Sequence, residues 1–457
     1  MSRQTANVIV LGVAGLSLAL LWLTPGALAG FLGLAGVALT AYLRPATAVR
    51  AGSLALLALG FTLALSQVPR VSILFYGLVA VLVALITIPG IPRWIKGLLG
   101  VAVLLISVPI AGFSNTFFLE LGIQIGIYAA MALGLNVVVG MAGLLDLGYA
   151  AFFAIGAYTW AIFGSPQAAN FLSGSFPLPG NYFYLFMALA IITTAITGLL
   201  IGLPALRLRG DYLAIVTLGL GEVVRVLANN LDHPVNFTNG PQGITPVSRP
   251  DIGWFRSLMS SIGVELDART DYQFFFYLLV LVIIGVVVLV NINLGNSRFG
   301  RAWIAIREDE TAAKAMGIPM LGTKLLAFAT GAAFSGAMGV IFAAQRTFVS
   351  PESFTLLASI TILGMVVLGG MGSIPGVILG AAALTAINTD VLKSFSEYLN
   401  NLRQAGVLNL PNQVEPAKYE RLVFGVILVL MMIFRPQGLI PERRHQLEIE
   451  EAKEAQQ

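Results

Sequence analysis

Between Val8 and Leu23 the chain carries sixteen consecutive residues without a charge, and runs of this kind recur along almost its whole length. About 20 apolar residues in a helix span the ~30 Å hydrocarbon layer of a bilayer, where each backbone N–H and C=O must find its partner inside the protein. Helices are therefore the element this sequence must make. Runs bounded by charges, Pro or Gly place candidate spans at 6–23, 26–43, 51–65, 71–88, 97–113, 117–139, 141–163, 182–206, 211–230, 273–292, 322–344, 355–370, 374–390 and 421–434. Fourteen is an upper limit, because 51–65 and 421–434 are short and the pair 355–370 and 374–390 also fits a re-entrant hairpin. The expected fold is all-α, a polytopic transmembrane helical bundle of about 12–14 spans.

Composition narrows the function. The 457 residues are 57% hydrophobic and 11% charged, against roughly 25% charged in a soluble domain. The net charge of +4 is spread through short loops, which argues against nucleic acid as a partner. With no cysteine and two histidines, disulfide frameworks and Cys/His zinc sites are excluded. There is no G-x-x-x-x-G-K-[ST] phosphate loop, G-x-S-x-G elbow or H-E-x-x-H pair. No catalytic residue, metal or cofactor is expected.

Arg3, the apolar run and Ala27-Leu28-Ala29 mimic a secretory signal with its cleavage site. The length of the run, and the further runs directly after it, favour an uncleaved first helix. With the N-terminus cytoplasmic, sixteen Lys and Arg fall inside and nine outside, as the positive-inside rule asks. An even number of spans then leaves both termini on the cytoplasmic side. The longest outer loops are 231–272 and 391–420, and the one inner loop longer than a turn is 293–321. No internal repeat of the secondary-transporter kind is evident.

That inner loop contains SRFGRAWIAIREDETAAKAMGI at 297–318. Glu308, Asp309 and Glu310 suit a helix N-terminus, Glu310 and Lys314 are spaced to pair at i,i+4, and Gly317 then Pro319 end the helix. Ala312, Ala313, Ala315 and Met316 give it a small, smooth surface suited to a groove on a partner; a membrane-surface connector is the other reading. Within the spans, Glu222 and Arg225 share a helical face and form either a structural ion pair or a polar patch along a substrate path. Asp146, after Gly140 and Gly143, is either a helix cap or part of irregular backbone lining a cavity. In LRLRGDYLAIVTLG, Arg207 and Arg209 end a span and Asp211 can cap the next helix. Gly369, Gly370, Gly372 and Gly376 suit close helix packing.

Six segments, in order, resemble the inner-membrane permeases of branched-chain amino acid ABC importers. They are GLLDLGYAAFFAIGAY at 143–158, LRLRGDYLAIVTLGLGEVVR at 206–225, TNGPQGI at 238–244, SRFGRAWIAIREDETAAKAMGI at 297–318, VVLGGMGSIPGVILGA at 366–381 and FRPQGLI at 434–440. The resemblance covers roughly residues 117 to 440. It implies a permease core at 114–440 with a cytoplasmic coupling helix at about 300–318, preceded by an extension of about five helices at 1–113 and followed by a charged tail at 441–457.

By the same resemblance, an alanine pair followed by glycine docks into the ATPase subunit, which points to Ala312, Ala313 and Gly317, with Arg307, Glu308, Asp309 and Glu310 beside them. The Ile and Pro of the wider importer motif are not evident. The partners implied are a homologous second permease, two ATP-binding subunits, a periplasmic solute-binding protein and a small amino acid. The expected activity is ATP-driven import of branched-chain or other neutral amino acids by alternating access; the charges within the spans make Asp146, Glu222 and Arg225 the candidates for the path, beside their structural readings. The alternatives are a permease for urea or short amides, and an ion-coupled secondary transporter.

Overall fold

The computed structural model describes residues 3–23, 26–43, 46–68, 72–88, 90–205, 211–264, 267–404 and 416–441. Arg207 and Arg209, the side chain of Asp211, and the tail from 442 onward lie outside the described residues. Helices account for nearly all of the rest; among the described residues the β structure is one antiparallel bridge, Ile244 to Val349. Nine of the described helices are long and apolar enough to cross a membrane, and four more are apolar but shorter. Each of the fourteen candidate runs contains a helix. The chain is an all-α, multi-pass membrane protein.

It divides into two compact units, Met1–Ile123 with Val264–Tyr277, and Gln124–Gly263 with Leu278–Gln457. The first contains α1 (Arg3–Leu23), α2 (Ala27–Tyr42), α3 (Thr47–Gln67), α4 (Ser72–Thr87) and α5 (Arg93–Ala102), which passes through a π-turn into α6 (Val108–Ser114). It also takes the start of α7 (Thr116–Asn136). Phe61 is its best-buried aromatic, at 0% exposure. A Cβ on Gly33 would lie 2.5 Å from the Phe61 ring, and one on Gly77 would overlap it. Two helices thus surrender side chains so that one ring can fill the seam, in line with small residues at helix interfaces in lipid.

The second unit contains the rest of α7, then α8 (Ala150–Ala161), α9 (Phe183–Ala205), α10 (Asp211–Asn230) and α11 (Gly253–Ser261). α12 (Ala268–Asn296), whose first turns belong to the other unit, leads to α13 (Arg298–Glu308), α14 (Glu310–Ala315), α15 (Met320–Arg346) and α16 (Leu356–Gly369). α17 (Ile374–Ala386) continues through a π-turn into α18 (Leu392–Gln404), and α19 (Glu420–Phe434) follows. α15 is the core, packed along α8 and α9. Its Gly339 would place a Cβ 2.5 Å from the Ala157 backbone nitrogen, so α8 and α15 touch main chain to main chain.

Three expectations change. The run 141–163 yields only α8, because residues 142–149 are not helical. Residues 391–404 extend a membrane helix and are not loop, and α11 forms inside the expected outer loop. The single helix expected over about 300–318 is two, because Asp309 takes an extended backbone (φ −152°) and starts a new helix.

Two motif segments explain each other. Leu439 and Ile440 donate backbone N–H groups to the Leu368 and Gly369 carbonyls at 2.9 and 3.0 Å. The approach is close enough that a Cβ on Gly370, whose φ is +115°, would sit 2.6 Å from the Ile440 carbonyl. VVLGGMGSIPG and FRPQGLI are therefore one structural feature, the pairing of a helix end with a returning turn. TNGPQGI is another: Gly243 (φ +73°) turns the chain so that Ile244 can pair with Val349 at 2.8 and 3.1 Å.

Candidate functional site

α13 and α14 form a helical pair with an inward and an outward side. Ser297 starts α13 by accepting from the Phe299 and Gly300 N–H groups. Trp303 is fully buried, and its indole N–H donates to the Thr323 carbonyl at 2.7 Å, tying α13 to α15. Arg307, one turn on, donates to the Gly140 carbonyl at 2.6 Å and lies 3.4 Å from Glu308. Asp309 accepts from the Thr311 and Ala312 N–H groups at 2.7 and 3.0 Å. The acidic cap expected of this sequence is thus Asp309 at α14, whereas Glu308 closes α13.

Glu310 pairs with Lys324, 4% exposed, at 2.8 Å rather than with Lys314. Ala313 is buried at 4% exposure against its own chain. Thr311, Ala312, Lys314, Ala315 and Gly317 are exposed, and Met316 is 84% exposed. Gly317, at φ +83°, stands in open space. The expected set therefore splits: Arg307, Glu310 and Ala313 face the protein, while Glu308, Asp309, Ala312 and Gly317 face outward.

The second group surrounds the break in the chain. α7 ends in a π-turn at Val137–Met141, and Gly143 (φ +68°) redirects the backbone into the 142–149 segment. Irregular backbone at this depth needs partners. The Leu147 N–H donates to Thr217 Oγ1 at 3.1 Å, and the Ala150 N–H donates to Ser359 Oγ at 3.0 Å. The Tyr149 hydroxyl donates to the Gly331 carbonyl at 2.8 Å. The Gly372 N–H donates to Asn136 Oδ1 at 2.8 Å.

Asp146 is 1% exposed; its Oδ1 accepts from the Gly148 N–H at 2.9 Å, and its Oδ2 is buried without a hydrogen-bond partner. It serves its own turn, not a helix N-terminus. Gly148 presses against the Thr217 carbonyl and Gly221 of α10, which puts the break beside the turn that carries Glu222. Leu147, Ala150 and Glu222 share a cleft of about 10 Å³ with Thr355 and Ser359, room for about one water.

Arg225 chelates Glu222 through Nε, at 2.8 Å, and through Nη2, and also reaches Glu352 at 3.3 Å. The expected ion pair forms, with a third member from the loop before α16. The polar partners Thr217, Tyr149, Ser359 and Lys324 are not singled out by the sequence, since a lone hydroxyl or cation near a span gives no spacing signal.

Residues 117–432 match the family described as the permease component of branched-chain amino acid transport systems. The chain belongs to that family. This permease is 39% identical over 342 residues to the high-affinity branched-chain amino acid transport system permease protein LivM of Salmonella typhimurium, covering 72% of each chain. It is 40% identical over 334 residues to the Escherichia coli protein of the same name, covering 71% of this chain and 70% of that one. The probable LivM of Methanocaldococcus jannaschii is 30% identical over 348 residues, 70% of this permease and 91% of the relative. No solved structure matches. The family match begins at the start of α7, so α1–α6 precede it.

Proposed function

We propose that this permease carries branched-chain or other neutral amino acids from periplasm to cytoplasm by alternating access, driven by ATP hydrolysis on partner subunits. The observation that carries the reading is the two-sided α14. Its inner face is tied to α15 by Glu310–Lys324 and buries Ala313, while its outer face exposes Ala312, Met316 and Gly317. A helix anchored on one side and smooth on the other fits a groove on a second protein and passes that protein's movement to α15.

In this reading two ATP-binding subunits hold the outer face of α14, here and on a homologous second permease, and a periplasmic solute-binding protein docks on the folded 231–263 loop. Both termini lie on the cytoplasmic side of the inner membrane, as the distribution of Lys and Arg asks. Residues 114–440 form the transport core and 1–113 an extension. Asp146, Glu222 and Arg225 flank the path, where a zwitterionic solute needs a partner for each of its charges.

The test is to purify the tagged permease in mild detergent from its native cells and identify what accompanies it by mass spectrometry. A second permease, a phosphate-loop ATPase and a periplasmic binding protein are expected, and the ligand of that binding protein names the solute. A permease that purifies without an ATPase at any detergent strength would overturn the reading.

A further inference from the structure

Arg307 belongs by position to the α13–α14 pair, but its partly buried guanidinium reaches back into the protein as well as to Glu308. It donates to the Gly140 carbonyl at 2.6 Å. That carbonyl is one of the last of the α7 helix, which by construction has no acceptor role left inside the helix, and a cation there also favours the negative end of the helix dipole. Gly143 lies against the same side chain: a Cβ there would come within 2.8 Å of Arg307 Cγ. The contact thus clamps both ends of the turn that opens the non-helical segment, three residues before Asp146.

Two further observations make the contact a link and not a static cap. Midway along α13, Trp303 fixes the helix to α15, and Glu310 ties α14 to the same helix, so a displacement of α15 carries α13 and Arg307 with it. Beside Arg307 lies an open groove of about 360 Å³ bounded by Met141, Asn291, Gly295, Gly300, Ile304 and Gly372. It lies on the flank of the link, so the side chain has space to move into.

We propose that Arg307 is the positioning residue through which movement of the α13–α14 pair reaches the 142–149 segment and the Asp146 carboxylate. It does not hold the ATPase; it draws on the Gly140 carbonyl and repositions the broken backbone when the pair moves. The inference rests on the importer reading above.

The experiment uses the complete complex reconstituted in proteoliposomes, with wild type, Arg307→Met and Arg307→Lys. In Arg307→Met the ATPase subunits are expected to co-purify as in wild type and to hydrolyse ATP, while solute moved per ATP falls about tenfold or more, the size of a lost coupling contact. Arg307→Lys keeps one donor for the Gly140 carbonyl and is expected to recover part of that ratio. Because the chain has no cysteine, Leu147→Cys supplies a reporter. Its maleimide reactivity is expected to change on ATP-vanadate trapping with Arg307 present and to stay constant with Arg307→Met.

Normal solute per ATP in Arg307→Met overturns the proposal. So does loss of the ATPase subunits from that variant, which would make Arg307 a docking residue. Should Arg307→Met fail to insert, Arg307→Gln and the lysine variant carry the same comparison. Failure of the wild-type complex to contain an ATPase sinks the importer reading itself and is seen before any variant is made.

Discussion

Glu310 reaches from α14 to Lys324 of α15, 2.8 Å away, although Lys314 stands one turn along on the same helix. The reason is burial. Lys324 is 4% exposed and an unpaired ammonium there is costly, whereas Lys314 is solvated and gains little from a surface pair. Breaking a fully buried pair costs about 3–5 kcal/mol, and the partly exposed Glu310 carboxylate reduces that to about 1–2 kcal/mol. Glu310→Ala is therefore expected to lower the detergent melting temperature by a few degrees. Glu310→Gln with Lys324→Met is expected to restore it, as read by a fluorescence melting curve.

The two faces of α14 separate stability from docking. Ala313 is buried, so Ala313→Asp places an unpaired carboxylate against the protein and is expected to reduce the yield of folded permease. Ala312→Asp and Met316→Asp change only exposed positions, with an effect on melting within about 0.5 kcal/mol. These two are expected to abolish co-purification of the ATPase and uptake together. Unchanged pull-down by the Ala312→Asp/Met316→Asp double variant would remove α14 as the contact.

Gly148 fixes how closely the break can approach α10. A Cβ there would run into the Thr217 carbonyl, which is backbone and cannot swing aside. Gly148→Ala is expected to destabilise by about 1–3 kcal/mol, the usual cost of overpacking, and to pull Leu147 away from Thr217 Oγ1. Thr217→Val removes the same acceptor without adding bulk and is expected to cost about 1–3 kcal/mol for the orphaned Leu147 N–H. Melting curves of the two variants, measured side by side, check whether the segment is held by this contact.

What the sequence exposes here is what is local. The fourteen apolar runs each hold a helix because apolar length and backbone satisfaction in lipid leave one solution. Glu222 and Arg225 pair as their i,i+3 spacing asks, and Glu352, the other carboxylate that reaches Arg225 among the described residues, joins the pair. Non-local choices are hidden. That 142–149 does not become the first turns of α8 depends on Thr217, Ser359 and Arg307, which are 70 to 209 residues away along the chain where their hydrogen bonds are counted. The same blindness affects α13–α14: Asp309 reads as one of three acidic residues at a helix start, and only its extended backbone reveals two helices where one was expected.

Asp146 offers the sharpest test of where solute is handled. Its Oδ1 accepts from the Gly148 N–H, its Oδ2 is buried, and the Thr217 hydroxyl also acts on the carboxylate. A buried acceptor without a hydrogen bond costs about 1–3 kcal/mol. Asp146→Asn keeps the acceptor for Gly148 and removes the charge, so folding is expected to be unchanged within about 1 kcal/mol. If the carboxylate receives the ammonium of the solute as α7 and α8 rearrange, uptake falls about tenfold or more, since a lost charged hydrogen bond is worth about 1.5–3 kcal/mol. ATP hydrolysis by the complex is expected to persist. Initial-rate uptake of a labelled neutral amino acid by wild type and Asp146→Asn, normalised to permease in the membrane, decides the matter: equal rates would leave Asp146 with its turn alone.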